Sequence, residues 1–488
     1  MAGGWTTPYP EGLYPEQLPS WLGFATTWAG RSSPDTTRPF RYLDLGCGVG
    51  HTACWVKRCY PHADVTGVDL DPGHIEASRA LASRLGVDVR FVQGPFEAVD
   101  APADIVVAHG VWSWIDDATR ADLAVRLSSL VAEGGLLYVD YNALPGRSDW
   151  VALAGLLRTL APQLGRDAEG LDRALEALEP LDGTGFFARR PGLTDGLRDA
   201  LRRQPGYLVH EFLSQGWRAF LLSDVARQLA PLTYVGTTHL WEAVEGFRTT
   251  EVERSRLSPW SDPVVRDTLR DALRDTVFRH DVFQQGGRVL SADERQASLL
   301  ARHYALGRPP GACRLASIPG HPQAHPLPPG CLDVVRGLDG PPRTGQALLA
   351  ALEWAPDRLV DRLGLLCAAG YVYPADRELF PPDVDDLLAQ DVDLLPLVAP
   401  SGIEVSFTRI DRAIWRSLDT NDVVGRALEL LGAEGHRLPA RVDGVAAQRR
   451  AMEAALATFR AAIPDLVRAG WSFAPASPTE ARSPSTAR

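Results

Sequence analysis

Lysine is nearly absent from the sequence, and acidic residues outnumber basic residues as a whole. Lys57 is the only lysine among the 50 basic residues of the 488-residue chain, so every other basic contact must come from the planar guanidinium of arginine. The 61 acidic residues give a formal net charge of −11 at pH 7. Because nucleic-acid-binding proteins typically carry a basic surplus, this balance excludes a general nucleic-acid binder as the function class.

Long apolar runs and paired cysteines are also missing. The longest mainly apolar stretch, residues 363–373, is shorter than the roughly 18 residues of a membrane-spanning helix. No basic residue precedes Arg31 and no apolar segment follows it, so we expect no secretory signal. The six cysteines show neither a CxxC pair nor a zinc spacing, which indicates reduced thiols and no metal site. We therefore expect a cytoplasmic protein of two or three domains without a membrane partner.

Short apolar runs alternate with helical segments in the first part of the chain. The predicted strands are residues 41–45, 65–70, 89–92, 104–108 and 135–139, and the predicted helices are 51–59, 72–85 and 118–131. Further along, residues 224–229 have a helical pattern, and 233–236 and 279–284 are predicted to add two strands to the same sheet. The fold class is thus α/β: a Rossmann-like, doubly wound sheet with helical inserts, plus a mainly helical C-terminal domain.

The most informative pattern joins a glycine-rich turn to an acid at the end of the next strand. Asp44 begins the run D-L-G-C-G-V-G, and Asp69 ends the second strand 19 residues after Gly50. A dinucleotide-binding loop needs a glycine at position 51, where this chain has His51, so a nicotinamide cofactor is disfavoured. A carboxylate facing the ligand suits a sulfonium or ammonium better than a pyrophosphate.

This D-x-G-x-G-x-G run followed by Asp69 resembles the Rossmann-like S-adenosylmethionine (SAM)-dependent methyltransferases. The resemblance implies that Asp44 lies near the amino group of SAM and that Asp69 holds the ribose. The implied cofactor-binding residues are Asp44, Gly46, Cys47, Gly48, Gly50, Asp69, Leu70, Phe96, Glu97 and His109. Pro95 stands where the family usually has an acid near adenine, so the backbone of Phe96 or the side chain of Glu97 would replace that contact.

A narrower resemblance covers roughly residues 8–290. The segments at 8–15, 109–115, 141–146, 207–213, 222–227 and 278–283 are similar to bacterial methyltransferases that carry a methyltransferase regulatory domain. The best-known members of that family methylate lysines of bacterial surface proteins, so the resemblance implies a protein-lysine methyltransferase.

Methyl transfer needs positioning above all, and a base only if the acceptor arrives protonated. The candidate catalytic residues are Tyr9, Tyr14, His109, Trp112, Tyr141 and Asn142. His109 is interpreted as a base, a substrate-orienting group or a loop contact. Trp112 is interpreted as an aromatic side chain that attracts a cationic ligand through a cation–π contact, or as a core residue. Tyr141 and Asn142 are expected just after the fifth strand, and Tyr9 and Tyr14 on an arm that closes over the cofactor.

The chain divides into six predicted segments and admits three functions. The segments are an arm (1–40), a SAM-binding core (41–146), a helical and regulatory region (147–290), a Pro/Gly-rich linker (291–341), a helical, winged-helix-like domain (342–473) and a disordered tail (474–488). The first hypothesis is methylation of a protein side chain, most of all lysine. The alternatives are a small-molecule N- or O-methyltransferase and a non-catalytic SAM-binding regulator.

Overall fold

The computed structural model describes most of the chain up to residue 375. The described residues are 14–190, 192–203, 205–244, 251–306, 315–317, 324–339, 342–375, 395–398, 404–407, 452–453 and 456. Tyr9, the predicted tail and most of the predicted C-terminal domain beyond residue 375 lie outside these residues.

A single mixed sheet forms the centre of the first 290 residues. Its strands are β1 (Arg41–Leu45), β2 (Asp64–Asp69), β3 (Arg90–Gln93), β4 (Ala103–Ala108), β5 (Val131–Ala143), β6 (Ala219–Phe220), β7 (Thr233–Thr237) and β8 (Phe278–Gln284). Their order is β3-β2-β1-β4-β5-β8-β7, with the short β6 attached to β5. The strands from β3 to β5 are parallel, and β8 runs antiparallel between β5 and β7. The predicted α/β fold and its two closing strands are confirmed.

The expected position of two candidate residues relative to the fifth strand was wrong. Tyr141 and Asn142 do not follow β5 but lie inside it, since its pairing with β8 continues to Asn142 and Phe278. The prediction ended the strand at Val139, before the polar residues Asp140 and Asn142. Asp140 is tolerated inside the strand because His109 and the amide of Gly110 donate hydrogen bonds to its carboxylate.

Helices α2 (His51–Cys59), α3 (Pro72–Leu85) and α4 (Asp117–Leu130) pack against the parallel part of the sheet. Helix α1 (Pro19–Trp28) instead contacts β7. The start of α3 is fixed by Asp71, whose side chain accepts hydrogen bonds from the amides of Gly73 and His74. Asp116 caps α4 in the same way, through the amides of Ala118 and Thr119.

Two helical inserts lie between strands of the sheet, as the sequence predicts. The first contains α5 (Ser148–Leu164), α6 (Ala168–Leu178), α7 (Leu193–Arg203) and α8 (Pro205–Leu213), which enclose their own hydrophobic cluster. The second follows α9 (Leu222–Gln228) and β7, and contains α10 (Leu240–Ala243), α11 (Glu251–Leu257) and α12 (Pro263–Arg274). Of the helices that the structure describes, none has the length and apolar character that crossing a membrane requires.

The C-terminal part of the chain adds helices and short strands outside the main sheet. They are α13 (Ala292–Ala301), β9 (His303–Leu306), β10 (Leu315–Ser317), β11 (Ala324–Pro326), α14 (Cys331–Gly337), β12 (Arg343–Thr344), α15 (Gly345–Leu352), α16 (Pro356–Ala368), β13 (Val372–Ala375), β14 (Leu395–Val398) and β15 (Glu404–Phe407). Strands β12, β9 and β13 form a small antiparallel sheet. Trp21 and Phe24 of α1 belong to the same hydrophobic cluster as α13 and α16, so α1 joins the two halves. The predicted domain boundaries stay predictions.

Candidate active site

The glycine-rich turn between β1 and α2 adopts a backbone that glycine alone accepts easily. Gly46, Gly48 and Gly50 have φ values of +76°, +52° and +78°. A Cβ atom on Gly46 would lie 2.8 Å from Val111, and one on Gly50 would lie 2.6 Å from Ser78. No atom lies within 4 Å of the Cβ position at Gly48. Two of the glycines thus permit close packing, while the third leaves open space for a ligand.

Asp69 is held against this turn in its ionised form. Its Oδ2 accepts a hydrogen bond from the amide of Gly48 at 2.9 Å, and its Oδ1 accepts one from the amide of Asp71 at 2.9 Å. Burial by itself would raise the pKa of Asp69, but these bonds and a contact with His74 Nδ1 lower it overall. The carboxylate is therefore charged at neutral pH.

The implied cofactor-binding residues that follow Asp69 differ in exposure. Leu70, directly after Asp69, is 60% exposed. Phe96 begins a 3₁₀ turn (Phe96–Ala98) and is partly buried against the core, whereas Glu97 is exposed. An exposed leucine beside an ordered carboxylate fits a ligand that has an apolar ring next to a ribose.

Asp44 is the buried acid of the site. Burial raises its pKa to about 7, the nearby Asp69 adds to the shift, and His109 opposes it. A cation bound beside Asp44 would favour the ionised carboxylate. Cys47 packs toward β2, with its Sγ 2.9 Å from the Cβ position at Gly67. The open turn, the exposed Leu70 and this buried acid together fit the cationic cofactor SAM.

His109 forms an ion pair with an acid that the sequence did not single out. Its Nδ1 donates to Oδ2 of Asp140, which is fully buried, and the amide of Gly110 donates to Asp140 Oδ1 at 2.8 Å. Burial by itself would lower the pKa of His109 and raise that of Asp140. Their mutual attraction outweighs burial, so the pKa of His109 is raised and that of Asp140 is lowered. Tyr138 extends the network, since its hydroxyl donates to Asp140 at 3.2 Å.

The segment before α1 covers this network. The ring of Tyr14 lies 4.3 Å from that of His109, and Glu16 lies 3.6 Å from Nδ1 of His280. Gln17 accepts a hydrogen bond from the hydroxyl of Thr52 at 2.9 Å, at the start of α2. The described part of the predicted arm therefore reaches both the His109 region and the helix that follows the glycine turn.

The remaining candidates lie deeper in the protein. Trp112 is fully buried in the core of the sheet. Tyr141 is also fully buried and donates to Asp281 at 2.5 Å. Asn142 lies on the other face of β5, where its Nδ2 is 3.5 Å from Glu211 Oε1 and its Oδ1 has no partner among the described residues. Their catalytic roles stay predictions.

Glu211 of α8 ties the first insert to the sheet. It is buried and accepts a hydrogen bond from Trp114 Nε1 at 2.9 Å. Burial raises the pKa of Glu211. Hydrogen bonds from Trp217, Trp114 and Asn142 act in the opposite direction and make the rise smaller. The polar pair Asn142–Glu211 therefore lies on the insert side of the carboxyl edge of the sheet.

Sequence reasoning missed Tyr138, Asp140, Glu16 and His280. One signal for the first two was present, because Tyr138, Asp140 and Asn142 alternate along an otherwise apolar strand and so share one face. The other two carried no local signal, since Glu16 and His280 meet only in the folded chain. The described residues contain no group of three or more metal-ligating side chains arranged around one point.

Comparisons with known proteins agree with this geometry. Residues 43–135 match a family described as a methyltransferase domain, and residues 204–285 match a predicted methyltransferase regulatory domain. The sheet order, the glycine turn and these matches show that the chain contains a class I, Rossmann-like methyltransferase domain and a methyltransferase regulatory domain. SAM is the cofactor of this class.

Relatives and solved structures extend the likeness over most of the chain. An uncharacterized protein of Synechocystis sp. is 31% identical over 312 residues, which are 61% of this chain and 61% of that protein. A trans-aconitate 2-methyltransferase of Methylobacterium radiotolerans is 33% identical over 98 residues, 20% of this chain and 36% of that enzyme. The chain thus spans less than two thirds of either relative. The structure of PKMT2 from Rickettsia typhi in complex with AdoHcy matches with a TM-score of 0.68 and 16% identity, over 94% of this chain and 99% of that one.

Proposed function

We propose that the protein transfers a methyl group from SAM to a protein lysine side chain. The observation that carries the methyl-transfer part is the glycine turn held between Asp44 and Asp69, with open space at Gly48. When bound, SAM supplies a methyl group on a positively charged sulfur, which is already an activated leaving group. Asp44, the turn and Asp69 would then hold the cofactor, and most of the rate gain comes from positioning the acceptor against it.

Two observations support an amine as the acceptor. The carboxyl edge of the sheet is acidic and aromatic, with Asp44, Asp140, Glu16 and the ring of Tyr14 around His109. Such surroundings favour a cationic amine over an anion. The fold likeness to PKMT2, whose abbreviation stands for a protein-lysine methyltransferase, is consistent with lysine.

A small-molecule acceptor is the second candidate function. The likeness of the SAM-binding region to a trans-aconitate methyltransferase favours it, although that likeness covers 20% of this chain. Trans-aconitate is an anion, and the acidic edge described above is unsuited to it.

Transfer of a radiolabelled methyl group separates these functions. The purified protein is incubated with labelled SAM and an extract of the native host, and macromolecules are separated from small solutes. We expect the label in protein, on lysine, whereas label among small solutes would support the second candidate. SAM binding without any transfer would support the non-catalytic regulator.

The near absence of lysine makes self-methylation easy to exclude. Lys57 is the only lysine, and its Nζ donates to the carbonyls of Pro61 and Ala63 at 3.1 and 2.6 Å. The variant Lys57→Arg removes that residue, so any lysine label in its reaction belongs to another protein. We expect this variant to transfer the label as well as the parent chain does.

A further inference from the structure

The imidazole of His109 is fixed in one tautomer by the fold. Its Nδ1 donates to the buried carboxylate of Asp140, which the amide of Gly110 also holds at 2.8 Å. In the neutral ring the remaining nitrogen, Nε2, therefore carries the lone pair. The side chain of His109 is 21% exposed while that of Asp140 is 0% exposed, so the ring reaches the accessible edge and its partner does not.

Strand order brings His109 next to the cofactor loop. His109 directly follows β4, which pairs with β1, and Asp44 lies opposite Val107 in that pairing. Val111, two residues beyond His109, packs on Gly46 so closely that a Cβ there would lie 2.8 Å away. The residue after β4 thus lies beside the glycine turn.

We propose that His109 is the general base of the methyl transfer and that Asp140 positions it. This inference rests on the proposed function. His109 Nε2 accepts a proton from the acceptor ammonium, and the freed nitrogen lone pair forms the bond to the methyl carbon. The carbon–sulfur bond breaks, and its electron pair stays on sulfur. The products are a methylated ammonium, AdoHcy and a protonated His109, which returns its proton to solvent.

The charges around His109 make its pKa depend on the charge of the bound cofactor. Asp140 of β5, Glu16 before α1 and Asp44 of β1 are the acids that face it, and they raise its pKa. The other titratable neighbours are Tyr14, Tyr138 and His280, and burial and the nearby His239 lower the pKa of His280. A cation bound beside Asp44 would lower the pKa of His109. The neutral thioether of AdoHcy would do so less.

Histidine-selective NMR tests whether the bound cofactor changes the pKa of His109, and it needs no knowledge of the acceptor. The chain has 11 histidines, and the signal of His109 is the one lost in His109→Gln. Its pKa is measured in the free protein, with AdoHcy, and with sinefungin, which carries an amine in place of the methylated sulfur. We expect the pKa to be lower with sinefungin than with AdoHcy by about 1 pH unit or more, and Asp140→Asn to lower it in all three states.

Variant rates complete the test, with SAM binding as the control. With labelled SAM and host extract, His109→Gln should reduce transfer by about 100-fold or more, although calorimetry should still detect SAM binding by this variant. Asp140→Asn should shift the acidic limb of the pH–rate profile to lower pH. His62→Gln is the matched control, since His62 contacts the carbonyl of Thr36 away from the site.

The two proposals fail in different ways. If calorimetry detects no SAM binding, both are overturned. If SAM binds but the pKa of His109 is equal in the sinefungin and AdoHcy complexes, or if His109→Gln transfers at the parent rate, His109 is not the base and the methyltransferase proposal stands.

Discussion

Asp44 and Asp69 lie at or near the carboxyl ends of neighbouring parallel strands, yet the pKa values of their carboxyl groups are shifted in opposite directions. Asp69 accepts two backbone hydrogen bonds, which lower its pKa despite burial. Burial raises the pKa of Asp44 to about 7. The same residue type thus provides a fixed anion at one position and a titrating group at the other.

Removal of the Asp69 carboxylate should weaken SAM binding. We expect Asp69→Ala to cost about 1.5–3 kcal/mol, or about 10- to 150-fold in Kd, because hydrogen bonds to a charged group are lost. Asp64→Ala is the matched control, since Asp64 is exposed at the other end of the same strand. If calorimetry finds the same affinity for SAM in Asp69→Ala as in the parent chain, Asp69 does not hold the ribose of SAM.

A bulky side chain at Gly48 should block the cofactor. The Cβ position there is open, so Gly48→Leu would place its side chain in the space that the ligand needs. Gly86→Leu is the control, because Gly86 also has positive φ and open surroundings but ends α3. Both should lose about 1–3 kcal/mol of stability, and only Gly48→Leu should lose SAM binding. Normal SAM binding by Gly48→Leu would show that the pocket lies elsewhere.

The affinity for SAM should rise with pH up to about 7. Asp44, with its pKa raised to about 7, is protonated at lower pH and must lose that proton to pair with a cation. His109 acts in the same direction, because its charged form repels a cation and its pKa is also raised. Asp44→Asn should therefore flatten part of the rise in a series of calorimetric titrations. A pH profile identical to that of the parent chain would contradict the assignment.

At the scale of elements, Val264 packs α12 against the core of the sheet, and a buried ionic network attaches the helix as well. Arg279 of β8 is almost fully buried and binds Asp271 of α12 at 2.7 Å and Asp281 of β8 at 2.8 Å. Val265, Leu269 and Leu273 of α12 are instead partly exposed. The regulatory region therefore depends in part on a buried ionic network for its attachment.

Loss of the central arginine should destabilise this attachment strongly. Arg279→Met leaves Asp271 and Asp281 buried without their cationic partner, and we expect a loss of about 3–5 kcal/mol in the free energy of unfolding. Arg266→Met is the control, because Arg266 makes one partly exposed contact with Asp267 and should cost at most about 1 kcal/mol. Urea denaturation measures both, and equal losses would contradict the structural role of the network.

At the scale of the molecule, α1 connects the methyltransferase sheet to the C-terminal elements. Trp21 donates to the carbonyl of Thr238 at 3.0 Å, after β7, while Phe24 belongs to the C-terminal cluster. Gly364 of α16 packs against Trp28 of α1 so closely that a Cβ atom would lie 2.2 Å from the ring. A small residue at position 364 thus permits the contact between the two halves.

A single added methyl group tests this contact. Gly364→Ala should lower the free energy of unfolding by about 1–3 kcal/mol, because the methyl group overpacks the contact with Trp28. Gly155→Ala in α5 is the control, since no atom lies within 4 Å of its Cβ position. That change should stabilise by about 0.5–1 kcal/mol. Denaturant unfolding compares the two variants, and a stable Gly364→Ala would mean that α1 and α16 are free to separate.

The sequence by itself determined most strands of the main sheet, the glycine turn and Asp69, because these depend on local patterns and short spacings, and the family resemblance carried by these residues implied the cofactor class. Only the tertiary structure decided which polar groups meet. His109 and Asp140 are 31 positions apart, and Trp114 and Glu211 are 97 apart. Strand order and the packing of α8 on the sheet bring these pairs together. Burial then sets the pKa of each group, and burial is a property of the whole fold that no local pattern contains.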